Sequence, residues 1–95
     1  VFLQAEKEFS AYNFKHANTE NLFKMFDMLE IEAKTLVEKK LSLPAYDQCL
    51  KASHVFNVLD ARGVISVAQR AGYIGRIRDI TKGAAETWLN NSQTK

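Results

Sequence analysis

Phe56-Asn57-Val58-Leu59-Asp60-Ala61-Arg62-Gly63-Val64-Ile65-Ser66-Val67-Ala68-Gln69-Arg70 ends one helix, turns, and starts the next with hardly a spare residue. Gly63 supplies the positive-φ position that closes a helix without Cβ strain. Ser66 and Gln69, three apart, spell a capping box for the first amides of the helix that follows. Two helices therefore meet here, and Asp60, Arg62, Gly63, Ser66, Gln69 and Arg70 are assigned to holding the corner. Arg70 is expected to pair with Asp60 or with the last carbonyls of the preceding helix, because an arginine turned toward an apolar stripe needs such a tie.

Working outward from this corner, the 3.6-residue apolar pattern predicts four helices, and no stretch alternates long enough to read as a strand. The first runs to about Asn13, with Phe2, Ala5, Phe9 and Tyr12 on one stripe. The second starts at the cap residue Asn18, carries Leu22, Phe26, Leu29, Ala33 and Leu36 with Phe23 and Val37 beside them, and ends at Lys39-Lys40, cations suited to the negative end of the helix dipole. Ser42-Leu43-Pro44 opens the third, proline being tolerated in a first turn. Its stripe is Ala45, Cys49, Ala52, Phe56 and Leu59, flanked by Tyr46, Leu50 and Ser53. The fourth runs from Val67 to about Leu89 and is expected to face inward with Ile74, Ile77, Thr81, Ala84 and Trp88, helped by Tyr73 and Ile80. The tail from Asn90 to Lys95 has nothing to bury and is expected to fray. The expected fold is all-α, a small antiparallel bundle of about four helices in one domain, with the first helix laid across the other three.

The composition fits that scaffold. Of 95 residues 46% are hydrophobic and 25% charged, with one proline and four glycines, so the chain is neither disordered nor of low complexity. No apolar run reaches the length of a membrane span, and the single Cys49 cannot close an internal disulfide, so a reducing cytoplasm is the expected compartment. The pattern is already helical at Val1, with neither an initiator Met nor a cap residue, and residues upstream are expected. The net charge of +2 hides an asymmetry: residues 1–40 hold six Lys, seven acids and no Arg, whereas all four Arg lie between 62 and 78.

The residue types that carry chemistry are scattered. Cys49 and His54 are five apart, roughly 140° around a helix, and do not converge; with His16 they lack the spacing of a zinc site. Ser10, Ser53 and Ser66 have no nucleophile-elbow context, and the glycines form no phosphate-cradling loop. No catalytic, cofactor or metal site is expected within these residues. Gly72, Gly75 and Gly83 still need a reason, since each costs up to about 1 kcal/mol relative to alanine in a helix. On a helical wheel they fall with Asp79 opposite Ile77, a face another backbone could approach closely. Arg76, Arg78 and Lys82 flank it. These seven residues are the candidate docking set, although Arg76 and Arg78 project about 160° apart and form no single phosphate-tracking surface.

Leu43 to His54, Phe56 to Gly63, Ile65-Ser66-Val67 and Tyr73-Ile74-Gly75-Arg76-Ile77-Arg78, together with Tyr12-Asn13-Phe14, resemble the C-terminal helical domain of the α subunit of bacterial glycyl-tRNA synthetase. Gln69 stands where many members of that pattern carry an acid, a change that keeps the cap. The resemblance implies a class II synthetase of two α and two β chains, in which α activates glycine with ATP and Mg2+ and β supplies most of the tRNA(Gly) recognition. The groups that bind ATP, glycine and magnesium would belong to a catalytic core upstream of Val1. This segment would be a structural module docking the core onto the β subunit or the second α subunit. The alternatives are direct binding of the tRNA backbone by Arg76, Arg78 and Lys82, or an internal buttress with no partner.

Overall fold

The computed structural model describes residues 2–12 and 18–93, and these form four α-helices with no strand among them. They are α1 (Phe2–Ala11), α2 (Thr19–Glu38), α3 (Ser42–Ala61) and α4 (Val67–Gln93). The all-α bundle expected from the periodicity is what forms. Asn18 caps α2 by accepting the Asn21 amide on its side-chain oxygen at 3.1 Å. Asn13 and His16 lie outside the described residues.

Two short reversals make α2, α3 and α4 antiparallel, and both are built the same way. After α3 the amide of Gly63 donates to the Asp60 carbonyl at 3.0 Å and that of Val64 to the Leu59 carbonyl at 3.4 Å, with Gly63 at φ +71°. After α2 the amide of Lys40 donates to Val37 at 3.0 Å and that of Leu41 to Leu36 at 2.9 Å. Each is a Schellman closure, which needs one left-handed residue. Glycine fills that place at one turn; at the other Lys40 takes it, at φ +62°, bearing the Cβ strain that glycine avoids.

The core lies between α2, α3 and α4 and changes character along its length. At the Gly63 end it is aromatic: Phe26 is completely buried, Phe56 nearly so, and the Tyr73 ring sits edge-on to Phe26 at 4.8 Å between centroids. At the Lys40 end it is made of small side chains, Ala33, Ala45, Cys49 and Ala84, which let the helices approach closely. The stripes expected on α2 and α3 are the buried ones. Val55 and Val58 join them, because α3 packs against α2 and α4 at once and so buries more than one face.

Four details differ from the sequence reading. The inward face of α4 is Tyr73, Ile77, Ile80, Ala84 and Thr87, rotated toward α2, while Ile74 and Trp88 are 41% and 53% exposed. The rotation follows from α4 lying in the groove between α2 and α3 and not on α3 alone. Tyr46 and Leu50, placed beside the core stripe of α3, are about half exposed. The stretch from Asn90 does not fray at once: α4 continues to Gln93, and Asn91 donates its side-chain amide to the Lys40 carbonyl at 2.9 Å, tying the helix end to the α2–α3 turn. Lastly, α1 does not lie across the bundle. Among the described residues it touches none of the other helices, and Phe9 and Tyr12 are 69% and 51% exposed, because α2, α3 and α4 close their seam among themselves.

Candidate docking face of the fourth helix

The corner residues come together as the local sequence dictates. The Ser66 amide donates to Gln69 Oε1 at 3.0 Å and the Gln69 amide donates to Ser66 Oγ at 3.2 Å, a reciprocal box that satisfies two amides at the start of α4. Arg70 Nη2 donates to Asp60 Oδ2 at 2.7 Å across the turn. Both side chains keep solvent access, so this is a surface tie of modest worth. Arg62 caps α3, its amide donating to the Val58 carbonyl.

Arg76 occupies a place that sequence reasoning did not foresee. Its Nε and Nη2 donate to the two oxygens of Glu30 at 3.0 and 2.7 Å, and Nη2 also reaches Asp27 Oδ1 at 2.7 Å. The guanidinium carbon lies 4.8 Å from the Phe26 ring centre and 5.0 Å from that of Tyr73. It is a clip from α4 to α2, laid over the aromatic end of the core. A planar fork suits this site where an ammonium would not. The hydrogen bond from Arg76 holds the Glu30 carboxyl below its ordinary pKa despite the opposing effect of burial, and the two carboxylates push the Arg76 pKa further up. The available sequence signal was the pair Asp27 and Glu30, three apart and beside the core residue Phe26.

The other six residues of the docking set divide. A Cβ added at Gly72 or Gly75 would meet nothing within 4 Å. At Gly83 it would lie 3.6 Å from the Val37 side chain, so Gly83 looks into the α2–α4 interface. Asp79 borders the same cleft with Lys34, Val37 and Glu38. Arg78 is exposed, and Lys82 Nζ stands 4.0 Å from Glu86 on its own helix. The structure thus leaves Gly72, Gly75, Arg78 and Lys82 outward and turns Arg76 and Gly83 toward α2.

Among the described residues no three His, Cys, Asp or Glu converge as metal ligands, and Gly72 and Gly75 lie in mid-helix, where no phosphate loop can form. A donor set for Mg2+ or a cradle for the phosphates of ATP is not assembled by the described residues. Cys49 is buried, and that burial pushes its thiol pKa up, away from a reactive thiolate. His54 is exposed beside Met25 and Leu50.

A family model described as glycyl-tRNA synthetase alpha subunit matches residues 1–93. The chain belongs to that family. This glycyl-tRNA synthetase α-subunit match spans Leu59-Asp60-Ala61-Arg62, which ends α3 at the α3–α4 corner, and Tyr73 to Arg78, the part of α4 that carries the clip to α2. No described helix is long and apolar enough to cross a membrane.

Proposed function

We propose that this chain is the helical assembly module of a glycyl-tRNA synthetase whose catalytic core lies upstream of Val1. The parent enzyme would activate glycine with ATP and Mg2+ and transfer it to tRNA(Gly) in the cytoplasm, as two α and two β chains, with no group from residues 1–95 entering the chemistry. The family match over residues 1–93 is the observation that carries this reading. The complete α chain, co-expressed with the synthetase β chain, is expected to support glycine-dependent ATP–pyrophosphate exchange and glycylation of tRNA(Gly). Loss of both activities in a folded complex overturns the enzymatic reading.

The docking role rests on Gly72 and Gly75. Each lowers helix stability by up to about 1 kcal/mol, and none of the described residues takes up the space they leave. Close approach of the β subunit's backbone to this turn of α4, with Arg78 and Lys82 alongside, is a use that alanine would spoil. Gly72→Ala/Gly75→Ala is therefore expected to raise the melting temperature of the module and at the same time weaken assembly with β. A double variant that melts higher and assembles with unchanged affinity removes the docking role and leaves the internal buttress.

Direct binding of the tRNA backbone is the weaker alternative. One of its three cations, Arg76, already has two carboxylate partners, and a second, Lys82, stands near Glu86. It predicts an affinity that falls steeply with salt.

A further inference from the structure

The three bundle helices begin differently. At α2 the Asn18 side chain receives the Asn21 amide, and at α4 Ser66 and Gln69 serve each other's amides. At α3 the cap position belongs to Leu41, whose side chain has no acceptor, and the first amide to find a carbonyl is that of Ala45, which donates to Leu41 at 3.0 Å. Pro44 has no N–H. The amides of Ser42 and Leu43 are therefore without an acceptor among the described residues. The Ser42 hydroxyl sits in the same turn. Ser42 is 8% exposed, yet its Oγ has no hydrogen-bond partner there either. Since no fully enclosed side-chain oxygen among the described residues lacks a partner, this hydroxyl reaches solvent through the small opening at the terminus. Two adjacent residues thus hold three donors with nothing in the bundle to receive them, a condition that folded chains rarely leave at a nearly buried position.

We infer that this terminus binds a small organic carboxylate whose apolar body lies in the groove beside it. An anion is the complement of free amides at a helix N-terminus, where the dipole adds to the attraction. Residues 38–46 carry Lys39 and Lys40 against the single acid Glu38, so the local side-chain charge has the same sense. The groove that starts at Ser42 indicates the body. It holds about 260 Å³ between α3 and α4, and its walls are Leu43, Tyr46, Ala84, Ala85 and Trp88, none of them charged. That is just below the range of drug-sized sites, about 300–1,000 Å³, and suits one ring or a short branched chain. Inorganic phosphate would leave the groove unfilled and bring more oxygens than three donors can serve. The groove lies about 20 Å along α4 from Gly75, so the inference does not depend on the docking role proposed for that turn.

Titration of the isotope-labelled 95-residue chain with phenylacetate tests it, read by the amide resonances of Ser42 and Leu43 and by fluorescence of Trp88, the single tryptophan. Both signals are expected to saturate with one dissociation constant of about 1 mM. Acetate, which lacks the body, and benzylamine, which carries the ring on a cation, are expected to bind at least about ten-fold more weakly. Leu41→Asp puts a carboxylate at the cap, where it competes for the same amides. It is expected to raise the melting temperature by about 3 °C or more and to weaken phenylacetate at least about ten-fold. Ser42→Ala removes one donor and is expected to weaken binding about three-fold or more with the fold unchanged by circular dichroism. No saturation by about 20 mM phenylacetate overturns the inference. So does benzylamine or inorganic phosphate binding as tightly as phenylacetate. Leu41→Asp decides separately: a variant that melts no higher has amides already satisfied, and one that melts higher but binds phenylacetate unchanged places the ligand elsewhere, and either result removes the site.

Discussion

Replacing Arg76 by alanine removes in one step the only side-chain ion-pair connection from α4 to α2 among the described residues. The loss comprises a two-pronged contact with Glu30, a third bond to Asp27, and the stacking over Phe26 and Tyr73. A fully buried pair broken from one side costs about 3–5 kcal/mol and an exposed pair about 0–1. Arg76 and Glu30 lie between these limits, with side chains 36% and 13% exposed. About 2 kcal/mol is the expected cost, or roughly 8–16 °C in melting temperature for a domain of this size. Thermal unfolding followed by circular dichroism at neutral pH measures it. The same pair sets an acid limb. Glu30 titrates below its ordinary value in the folded chain, so its contribution is complete above the unfolded pKa, near 4.5, and is lost as pH falls through the lower folded value. Arg76→Ala is therefore expected to flatten the loss of stability below about pH 4.5. A melting temperature within about 3 °C of wild type, or an acid limb unchanged by the substitution, would refute the assignment of Arg76 as the α2–α4 clip.

Further outcomes follow from the turns and the rotated face of α4. Lys40→Gly is expected to stabilise the chain by roughly 0.5–1 kcal/mol, since it relieves a left-handed lysine at φ +62° and leaves the carbonyl that holds Asn91 in place; chemical denaturation reads the shift in midpoint. Gly63→Ala is expected to act in the opposite sense by about 1–2 kcal/mol, although its added Cβ meets no atom within 4 Å, because the strain lies in the backbone. Ile80→Ala, at a 3% exposed site, is expected to cost about 2–4 kcal/mol, whereas Trp88→Ala, at a half-exposed one, costs less than about 1.5 despite the larger side chain; the ranking of the two melting temperatures checks which stripe of α4 is inside.

What could be read in the sequence was what depends on neighbours along the chain. The Ser66–Gln69 box, the left-handed glycine at position 63, the Asn18 cap and the stripe from Ala45 to Leu59 each follow from spacings of three or four residues, and each occupies that role in the structure. The rotation of α4 was not available from the same signal. Two apolar stripes run along that helix, and the size of Trp88 favours the wrong one. Only the presence of α2 on one side decides for Ile80, Ala84 and Thr87, and the buried Thr87 hydroxyl is satisfied within its own helix by donating to the Gly83 carbonyl at 2.9 Å.

The clustering of arginines between positions 62 and 78 shows how the two kinds of information combine. As a string, the cluster only marks where the cations lie; wheel geometry already separates Arg76 from Arg78 by about 160°. In the bundle, α4 runs beside α2, which carries Asp27 and Glu30, and follows the corner that carries Asp60. Arg76 takes the two carboxylates of α2 and Arg70 takes Asp60, so two of the four arginines are engaged within the chain. Bundle closure thus uses arginines that a polyanion would otherwise contact. Arg78 and Lys82 remain on the outer side of α4, too few for the steep salt dependence of a backbone-binding protein.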